Sequence, residues 1–134
     1  MAQRMDRQHI PADTLHVGWE KNGEIVAAVA YDNYTGASIC MHVVGEGKRW
    51  LTREFLIFCF AYPFEQLKVR KVLGLVPSNN ADAIKFDEHL GFRKEAVIRD
   101  AVPGGDLIVY SMTRKQCRYL EMQDGVKIKP ASRA

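Results

Sequence analysis

The alternation of apolar and polar positions predicts that the chain starts with strands. The runs "TLHVGWE" and "EIVAAVAYD" flank "KNG", and Asn-Gly between two strand-like runs is a strong hairpin signal. A second turn, "NYTG", leads into "ASICMHVVG", whose β-branched and apolar residues predict a third, buried strand. After a polar start, the chain is therefore expected to form a three-stranded meander.

The next segment changes to a helical period. Leu51, Phe55, Phe58 and Tyr62 recur at spacings of four, three and four residues, which predicts an amphipathic helix with this stripe in the core. Pro63 lacks an N–H and crowds the carbonyl four residues earlier, so the helix should kink or end near Tyr62. The apolar run "KVLGLVP" that follows predicts a central strand.

A second helix is predicted in "NADAIKFDEHLGF", because both of its ends are specified. Asn80 is a natural N-cap, since its side chain can accept a hydrogen bond from a free N–H of the first turn. Gly91 suits the left-handed position after a helix, and Phe92 can then fold back on Phe86. An open helix start also attracts phosphate-rich ligands. The residues alone favour the cap over that second interpretation.

A hairpin closes the predicted fold. "RKEAVIRDAV" and "DLIVYSMT" flank Pro103-Gly104-Gly105, and "RKQCRYLEM" suggests a short terminal helix. The order β-β-β-α-β-α-β-β implies an α/β (α+β) fold with a mixed, mostly antiparallel sheet flanked by helices. The length of 134 residues suits one domain. Its ends, residues 1–12 and 123–134, are expected to be mobile.

Composition narrows the functional classes. Hydrophobic residues make up 47% and charged residues 26%, which is typical of a folded globular protein. The net charge of +3 is only mildly basic, which gives little support to a nucleic-acid partner. Cysteines are odd in number and lie in apolar surroundings, so buried thiols of a reduced protein are expected at Cys40, Cys59 and Cys117. The four histidines lack metal-ligand spacing, so no metal is expected.

The most apolar run, "FLIFCFAYPF", is too short to span a bilayer, and no leader pattern precedes it. The expected location is therefore the cytoplasm.

With these elements in place, the chain shows a resemblance. The stretch "WLTREFLIFCFAYPFEQLKVRKVLGLVPSNNADAIKFDEHLGF" resembles the acyl-CoA-dependent N-acyltransferases of the GNAT superfamily. Within that superfamily it looks most like ribosomal-protein N-terminal acetyltransferases and small bacteriophage-encoded members. The resemblance implies acetyl-CoA (coenzyme A) as cofactor. It also implies an amine-bearing small molecule, peptide or protein as acceptor, in a bacterial or phage-infected cell.

The resemblance also implies a cofactor site. The family's pyrophosphate loop carries the signature Q/R-x-x-G-x-G/A, which falls here on Gly47, Trp50 and Thr52, and two of these three positions differ. Helix-start amides can still attract phosphate, with positive charge from Lys48 and Arg49, although the two cations can equally be solvated loop residues. The implied cofactor contacts are Val43, Val44, Lys48, Arg49, Trp50, Leu51, Thr52, Asn79, Asn80, Ala83 and Phe86.

In this arrangement Asn80 faces the pantetheine arm or the phosphates of the cofactor. Ser78 or Asn79 would then take over part of the helix capping.

Acyl transfer needs a neutral amine nitrogen and stabilisation of the oxyanion. The resemblance implies that backbone N–H groups of the strand that contains His42 stabilise the oxyanion by hydrogen bonds. The candidate bases in the same region are Glu20, His42 and Glu46. A histidine side chain can accept a proton near neutral pH, although a lone histidine in an apolar strand such as this one is more often a satisfied core residue.

Asp87 lies where many family members have a tyrosine that protonates the departing thiolate. A solvated surface position is expected for it, with a pKa near the ordinary value of about 3.9. Asp87 would then be a carboxylate without a proton to give, and its replacement by Asn would leave turnover nearly unchanged.

The family usually has a strand and two helices before the meander, whereas only a short segment precedes the first predicted strand here. An open acceptor pocket, or one completed by a second copy in a homodimer, is therefore expected. The altered loop would also suit a non-catalytic acyl-CoA-binding or regulatory protein. A small nucleic-acid-binding module that uses the basic ends is the less favoured alternative.

Overall fold

In a computed structural model of the chain, residues 15–45 and 52–123 are described. The predicted order of strands and helices is confirmed within these residues. The elements are β1 (Leu15–Lys21), β2 (Glu24–Asp32), β3 (Ser38–Gly45), α1 (Arg53–Ala61), β4 (Lys71–Pro77), α2 (Ala81–Leu90), β5 (Arg93–Val102), β6 (Gly105–Thr113) and α3 (Arg118–Gln123). A π-helical turn, Tyr62–Gln66, follows α1, and a 3-10 turn, Arg114–Gln116, precedes α3.

The two predicted hairpins are present. Between β1 and β2, Asn22 and Gly23 have φ angles of 54° and 83°, the left-handed values that a tight two-residue hairpin turn requires. Between β5 and β6 the turn passes through Gly104, at a φ of 73°. Turn chemistry in the sequence was therefore sufficient to place both hairpins.

Helix α1 ends where Pro63 predicts. Beyond Ala61 the helix widens, and the Leu67 N–H donates to the Tyr62 carbonyl, five residues earlier, over 3.1 Å. The predicted apolar stripe is only partly correct. Phe55 is fully buried, whereas Phe58 and Tyr62 are half-buried, and the buried side of α1 instead includes Leu56, Ile57, Cys59 and Phe60.

All six strands form one sheet in the order β1-β2-β3-β4-β6-β5. The pair β3–β4 is parallel, and the other neighbouring pairs are antiparallel. The parallel pairing runs from Ser38↔Lys71 to Cys40↔Leu73 and stops there. Both strands continue beyond these residues, so they diverge and leave an opening. We call this opening the β3–β4 gap.

One face of the sheet, which we call the helix face, carries the core. Trp19 packs edge-on against Phe55, with ring centroids 5.2 Å apart, and the Tyr31 hydroxyl donates to the Cys59 carbonyl over 2.5 Å. Phe92 packs against Phe60 at 6.0 Å, and Phe86 is partly buried against the same core. Both α1 and the end of α2 are therefore anchored to this face.

The opposite face, which we call the open face, is less covered. Leu75 alternates with buried neighbours on β4 and is 37% exposed, and Ile98 on β5 is 50% exposed. None of the described helices covers the open face at these two side chains. Single exposed apolar side chains are ordinary on folded proteins, so these two mark only the less covered face of the sheet.

The three cysteines Cys40, Cys59 and Cys117 are buried and free, which confirms the interpretation as buried thiols. Burial raises the pKa of each thiol above its ordinary value, so these side chains stay protonated and unreactive. Among residues 15–45 and 52–123, the helices fall short of the length and hydropathy that crossing a bilayer requires.

Candidate functional site

The β3–β4 gap lies between unpaired strand backbone of β3 on one side and the start of helix α2 on the other. Beyond Cys40, the backbone groups of β3 that point toward β4 have no partner in that strand. On the other side, β4 runs into the start of α2 after a short turn, which directs free N–H groups of the first helical turn toward the same end of the sheet. A bound ligand could therefore form hydrogen bonds with main-chain groups of β3 on one side of the gap and with N–H groups of α2 on the other.

Asn80 is the N-cap of α2, as predicted. Its Oδ1 accepts a hydrogen bond from the Ala83 N–H over 3.1 Å. The expectation that Ser78 or Asn79 shares the capping is wrong, because both are bound to the β5–β6 hairpin. Ser78 Oγ accepts from the Asp106 N–H over 2.9 Å, and Asn79 Nδ2 donates to the Pro103 carbonyl over 3.3 Å. Asn80 Nδ2 has no hydrogen-bond partner among the described residues.

His42 lies on the open face beside the gap. Its neighbours Met41 and Val43 point toward the helix face, so the alternation of β3 directs the imidazole the other way. The side chain is 42% exposed, and its Nε2 lies 3.5 Å from Asp32 Oδ1. The expectation of a core histidine is therefore wrong. Asp32 was not foreseen; its position as the last residue of a strand was the only available signal.

Asp87 is half-buried and lies on the helix side of the gap, which corrects the expectation of a solvated surface position. A Cβ atom placed on Gly74 would lie 2.8 Å from Asp87 Oδ2 and 3.9 Å from Phe92 Cε1. The carboxylate therefore rests directly on the backbone of β4, at the first residue beyond the β3–β4 pairing. Burial raises the pKa of the Asp87 carboxyl to about 6, and His42 opposes that rise.

The neighbouring carboxylate is engaged elsewhere. The Tyr110 hydroxyl of β6 donates to Glu88 Oε2 over 2.8 Å. Desolvation, followed by Glu88 and Asp87, raises the pKa of Tyr110 to about 12. The carboxylate of Asp87 itself accepts no hydrogen bond from any described residue. Two adjacent acids on α2 thus have different surroundings, and only Glu88 has a donor.

The other predicted site residues are distributed as follows. Thr52 is the N-cap of α1, and its Oγ1 accepts from the Phe55 N–H over 3.2 Å. Val43 lies on the helix face of β3, and Val44 pairs with Ala28 through its backbone. Ala83 and Phe86 are partly buried against the core. The predictions for Glu46, Gly47, Lys48, Arg49, Trp50 and Leu51 lie outside the described residues.

The third candidate base, Glu20, does not lie next to His42. It lies on β1 opposite Ile25, two strands away from β3. His16 is nearer, because Ala30 pairs with both His16 and His42. The two histidines therefore share a cross-strand row on the open face at two strand spacings, about 10 Å. The described residues contain no group of three side chains arranged to hold a metal ion.

Comparison with known proteins identifies the fold. No protein-family model and no curated protein matches the sequence. Solved structures do match. A spermidine N-acetyltransferase, SpeG, from Vibrio cholerae has 17% identity and a TM-score of 0.69, with 87% of this chain and 73% of that chain covered. The N-acetyltransferase PseH of Campylobacter jejuni, in complex with acetyl coenzyme A, has 17% identity and a TM-score of 0.61, with 81% and 73% covered.

A probable acetyltransferase has 20% identity and a TM-score of 0.67. The match covers 81% of this chain and 66% of that one, so this chain spans about two thirds of that protein. The chain has the fold of the GNAT-type N-acetyltransferases. The mixed, mostly antiparallel sheet expected from the sequence is thus confirmed, with a short parallel pair at its centre.

Proposed function

We propose that the chain is an N-acetyltransferase that transfers an acetyl group from acetyl-CoA to a primary amine of a small molecule, peptide or protein. One observation supports this most strongly. The pairing of β3 with β4 stops at Cys40↔Leu73, and the resulting gap has an exposed imidazole on one side and a half-buried carboxylate on the other. The shared fold of SpeG and PseH gives further support.

The described residues fit a thioester cofactor. When bound, acetyl-CoA supplies an activated acyl group. Main-chain N–H groups of β3 beyond Cys40 are available to donate to a carbonyl oxygen that gains negative charge. The start of α2 and the amide of Asn80 are available to polar or phosphate groups of the same molecule.

His42 is the base that the geometry favours. A primary amine arrives largely as an ammonium ion at neutral pH and must lose a proton before it can attack. The exposed imidazole can accept that proton, and Asp32 at 3.5 Å stabilises the imidazolium that results. Glu20 is two strands away and is not favoured for this role.

The alternative is a non-catalytic acyl-CoA-binding or regulatory protein, and the less favoured one is a nucleic-acid-binding module. An exposed histidine with a carboxylate partner at the gap favours the enzyme, because cofactor binding alone needs neither group. We further propose a cytoplasmic homodimer, in which the partner covers the open face around Leu75 and Ile98.

The test is to incubate the purified chain with acetyl-CoA and a panel of primary amines, with spermidine as the first. Release of the free thiol and mass spectrometry of the amine measure transfer. We expect at least one amine to be acetylated in proportion to enzyme concentration. Thermal stabilisation by acetyl-CoA without turnover of any amine would favour the binding protein, and absence of both effects would overturn the proposal.

A further inference from the structure

Basic side chains surround an open cavity at the end of the sheet that lies away from the β3–β4 gap. Lys71, the first residue of β4, pairs with Thr113, the last residue of β6, so the segments just before β4 and just after β6 meet there. The cavity between these segments has a volume of about 530 Å³. We call it the basic cavity. Its lining residues are Lys68, Val69, Arg70, Thr113, Arg114 and Lys115.

The backbone on the β4 side of the basic cavity is held in place. Val69 is buried in the core, and its N–H donates to the Pro63 carbonyl over 3.1 Å. The Arg70 N–H donates to the Ala37 carbonyl over 2.7 Å. Lys68 and Arg70, on either side of Val69, are exposed. The backbone positions that carry these two cations are therefore fixed before a ligand arrives, which lowers the ordering cost of binding.

Lys68 is an unfavourable residue for its place in the backbone. The Leu67 N–H closes the π-helical turn, and Lys68 follows with a φ of 59°. The left-handed residue just after a helical turn is usually glycine, because a Cβ atom is strained there. Stability alone would therefore favour glycine at residue 68, whereas the chain has a cation in the cavity wall. Backbone strain of this kind is common at functional sites.

Arg114 forms a rigid part of the cavity wall. Its Nη1 donates to Glu65 Oε2 over 2.7 Å, and its Nη2 donates to the Phe64 carbonyl. The guanidinium also lies over the Phe64 ring, 5.9 Å from its centroid. These contacts orient the group and leave further N–H donors for a ligand, because a guanidinium carries five.

The remaining cations of the basic cavity lack a counter-charge. Lys68, Arg70 and Lys115 are exposed, and the described residues place no carboxylate within ion-pair distance of these three side chains. Gathering like charges is unfavourable, and protein surfaces usually intersperse both signs. An anion with several negative charges would remove this repulsion.

We propose that the basic cavity binds a small molecule that carries several phosphate groups. Arginine and lysine recognise phosphate by charge and by directed N–H donors, and the volume is within the range of small-molecule sites. The six lining residues include no aromatic ring on which a base could stack, which favours a compact anion over a nucleic-acid strand. The inference goes beyond the proposed function, because the start of α2 lies at the other end of β4, about 20 Å away.

The first experiment is a calorimetric titration of the full chain with inorganic triphosphate. Saturating acetyl-CoA is present, so that groups at the β3–β4 gap do not take up the probe. We expect a Kd below about 1 mM at about 0.15 M salt. Arg70→Gln should weaken binding about tenfold, the usual effect of losing a hydrogen bond to a charged group. The matched control, Arg99→Gln, removes an exposed arginine of β5 outside the cavity and should change the Kd less than about twofold.

A second variant separates binding from folding. Lys68→Gly should leave the Tm unchanged or raise it, because glycine adopts the left-handed conformation without strain. The same change should weaken triphosphate binding about tenfold. A lysine that only serves the fold would not produce this combination. An unchanged affinity, at whatever Tm, would exclude Lys68 from the site and overturn the proposal.

The other outcomes are equally decisive. Absence of triphosphate binding would overturn the proposal, and equal losses of affinity in Arg70→Gln and Arg99→Gln would show general attraction by charge. A short single-stranded oligonucleotide serves as the competing probe. If it binds at least about tenfold more tightly than triphosphate and requires Arg70, the cavity belongs to a nucleic-acid interface instead. These readouts are affinities and Tm values, so their failure leaves the proposed function, which amine acetylation tests, unaffected.

Discussion

At the scale of single residues, Asp87 connects stability to pH. Its pKa in the folded chain is about 6, against an ordinary value of 3.8. The folded state therefore binds the Asp87 proton more tightly than the unfolded state does. The stability that this proton provides is fully present below about pH 4 and is lost as the pH rises through about 6.

Asp87→Asn should consequently stabilise the fold at neutral pH. The difference between the two pKa values corresponds to about 3 kcal/mol at most, and solvent contact of the half-buried side chain lowers the expected gain to about 1 to 2 kcal/mol. Chemical denaturation of the variant and of the unaltered chain at pH 4 and pH 8 measures this gain in unfolding free energy. The gain should be near zero at pH 4, and equal gains at both pH values would contradict the raised pKa.

Asn80 and Asn79 should respond differently to alanine. Asn80→Ala removes the cap of α2, which costs about 1 kcal/mol, and it should also weaken acetyl-CoA binding if the free Nδ2 contacts the cofactor. Asn79→Ala removes a bond to the β5–β6 hairpin and should leave affinity nearly unchanged. Calorimetric titration with acetyl-CoA, together with unfolding curves for both variants, separates the two effects. Equal losses of affinity would refute the special role of Asn80.

At the scale of elements, the packing of α2 on β4 depends on Gly74. Gly74→Ala places a methyl group 2.8 Å from Asp87 Oδ2. Because that oxygen is the end of a side chain that can turn aside, the change should destabilise the fold by about 1 kcal/mol at most. In an Asp87→Ala background the collision is absent, and the same change should cost little. A double-mutant cycle of unfolding free energies measures this coupling. Additive effects would show that the contact does not constrain the helix.

Local features of the sequence placed the elements, whereas the site depended on features that are not local. Asn22-Gly23, Pro63 and the Asn80 cap act within a few residues, so they could be interpreted correctly from sequence. The exposure of His42 and the burial of Asp87 depend on where β3 separates from β4, and no pattern within either strand encodes that point. The glycine at residue 74 was the available signal, because an interior strand glycine often marks a close approach.

At the scale of the whole molecule, acetyl-CoA should act as a ligand of the folded state only. At a concentration one hundred times its Kd, it should raise the free energy of unfolding by about 2.7 kcal/mol. Differential scanning calorimetry with and without the cofactor measures the shift. Free CoA is the appropriate control for the contribution of the acyl group. An unchanged Tm at millimolar acetyl-CoA would argue against the proposed function.

In the proposed homodimer, a second copy of the chain covers the open face. The exposed side chains of Leu75 and Ile98 should become buried against a second copy, so Ile98→Lys should shift the chain toward monomer. The matched control is Ile25→Lys, which replaces another exposed isoleucine, on β2. Sedimentation at several concentrations gives the oligomeric state. A monodisperse and fully active monomer of the unaltered chain would exclude a partner in the acceptor site.

The short seam between β3 and β4 also has a consequence for hydrogen exchange. Among the described residues, the β3–β4 ladder has three residue pairs, from Ser38↔Lys71 to Cys40↔Leu73. The N–H groups of Arg70 and Lys71 extend it by donating to the Ala37 carbonyl. Local opening requires less free energy where fewer backbone bonds must break. The β3–β4 ladder should therefore open locally and transiently, while α1 keeps both halves of the sheet in place. Amides of β3 and β4 that face the seam should lose protection before those in the middle of β2 or β6, and a bound cofactor that bridges the halves should slow their exchange most.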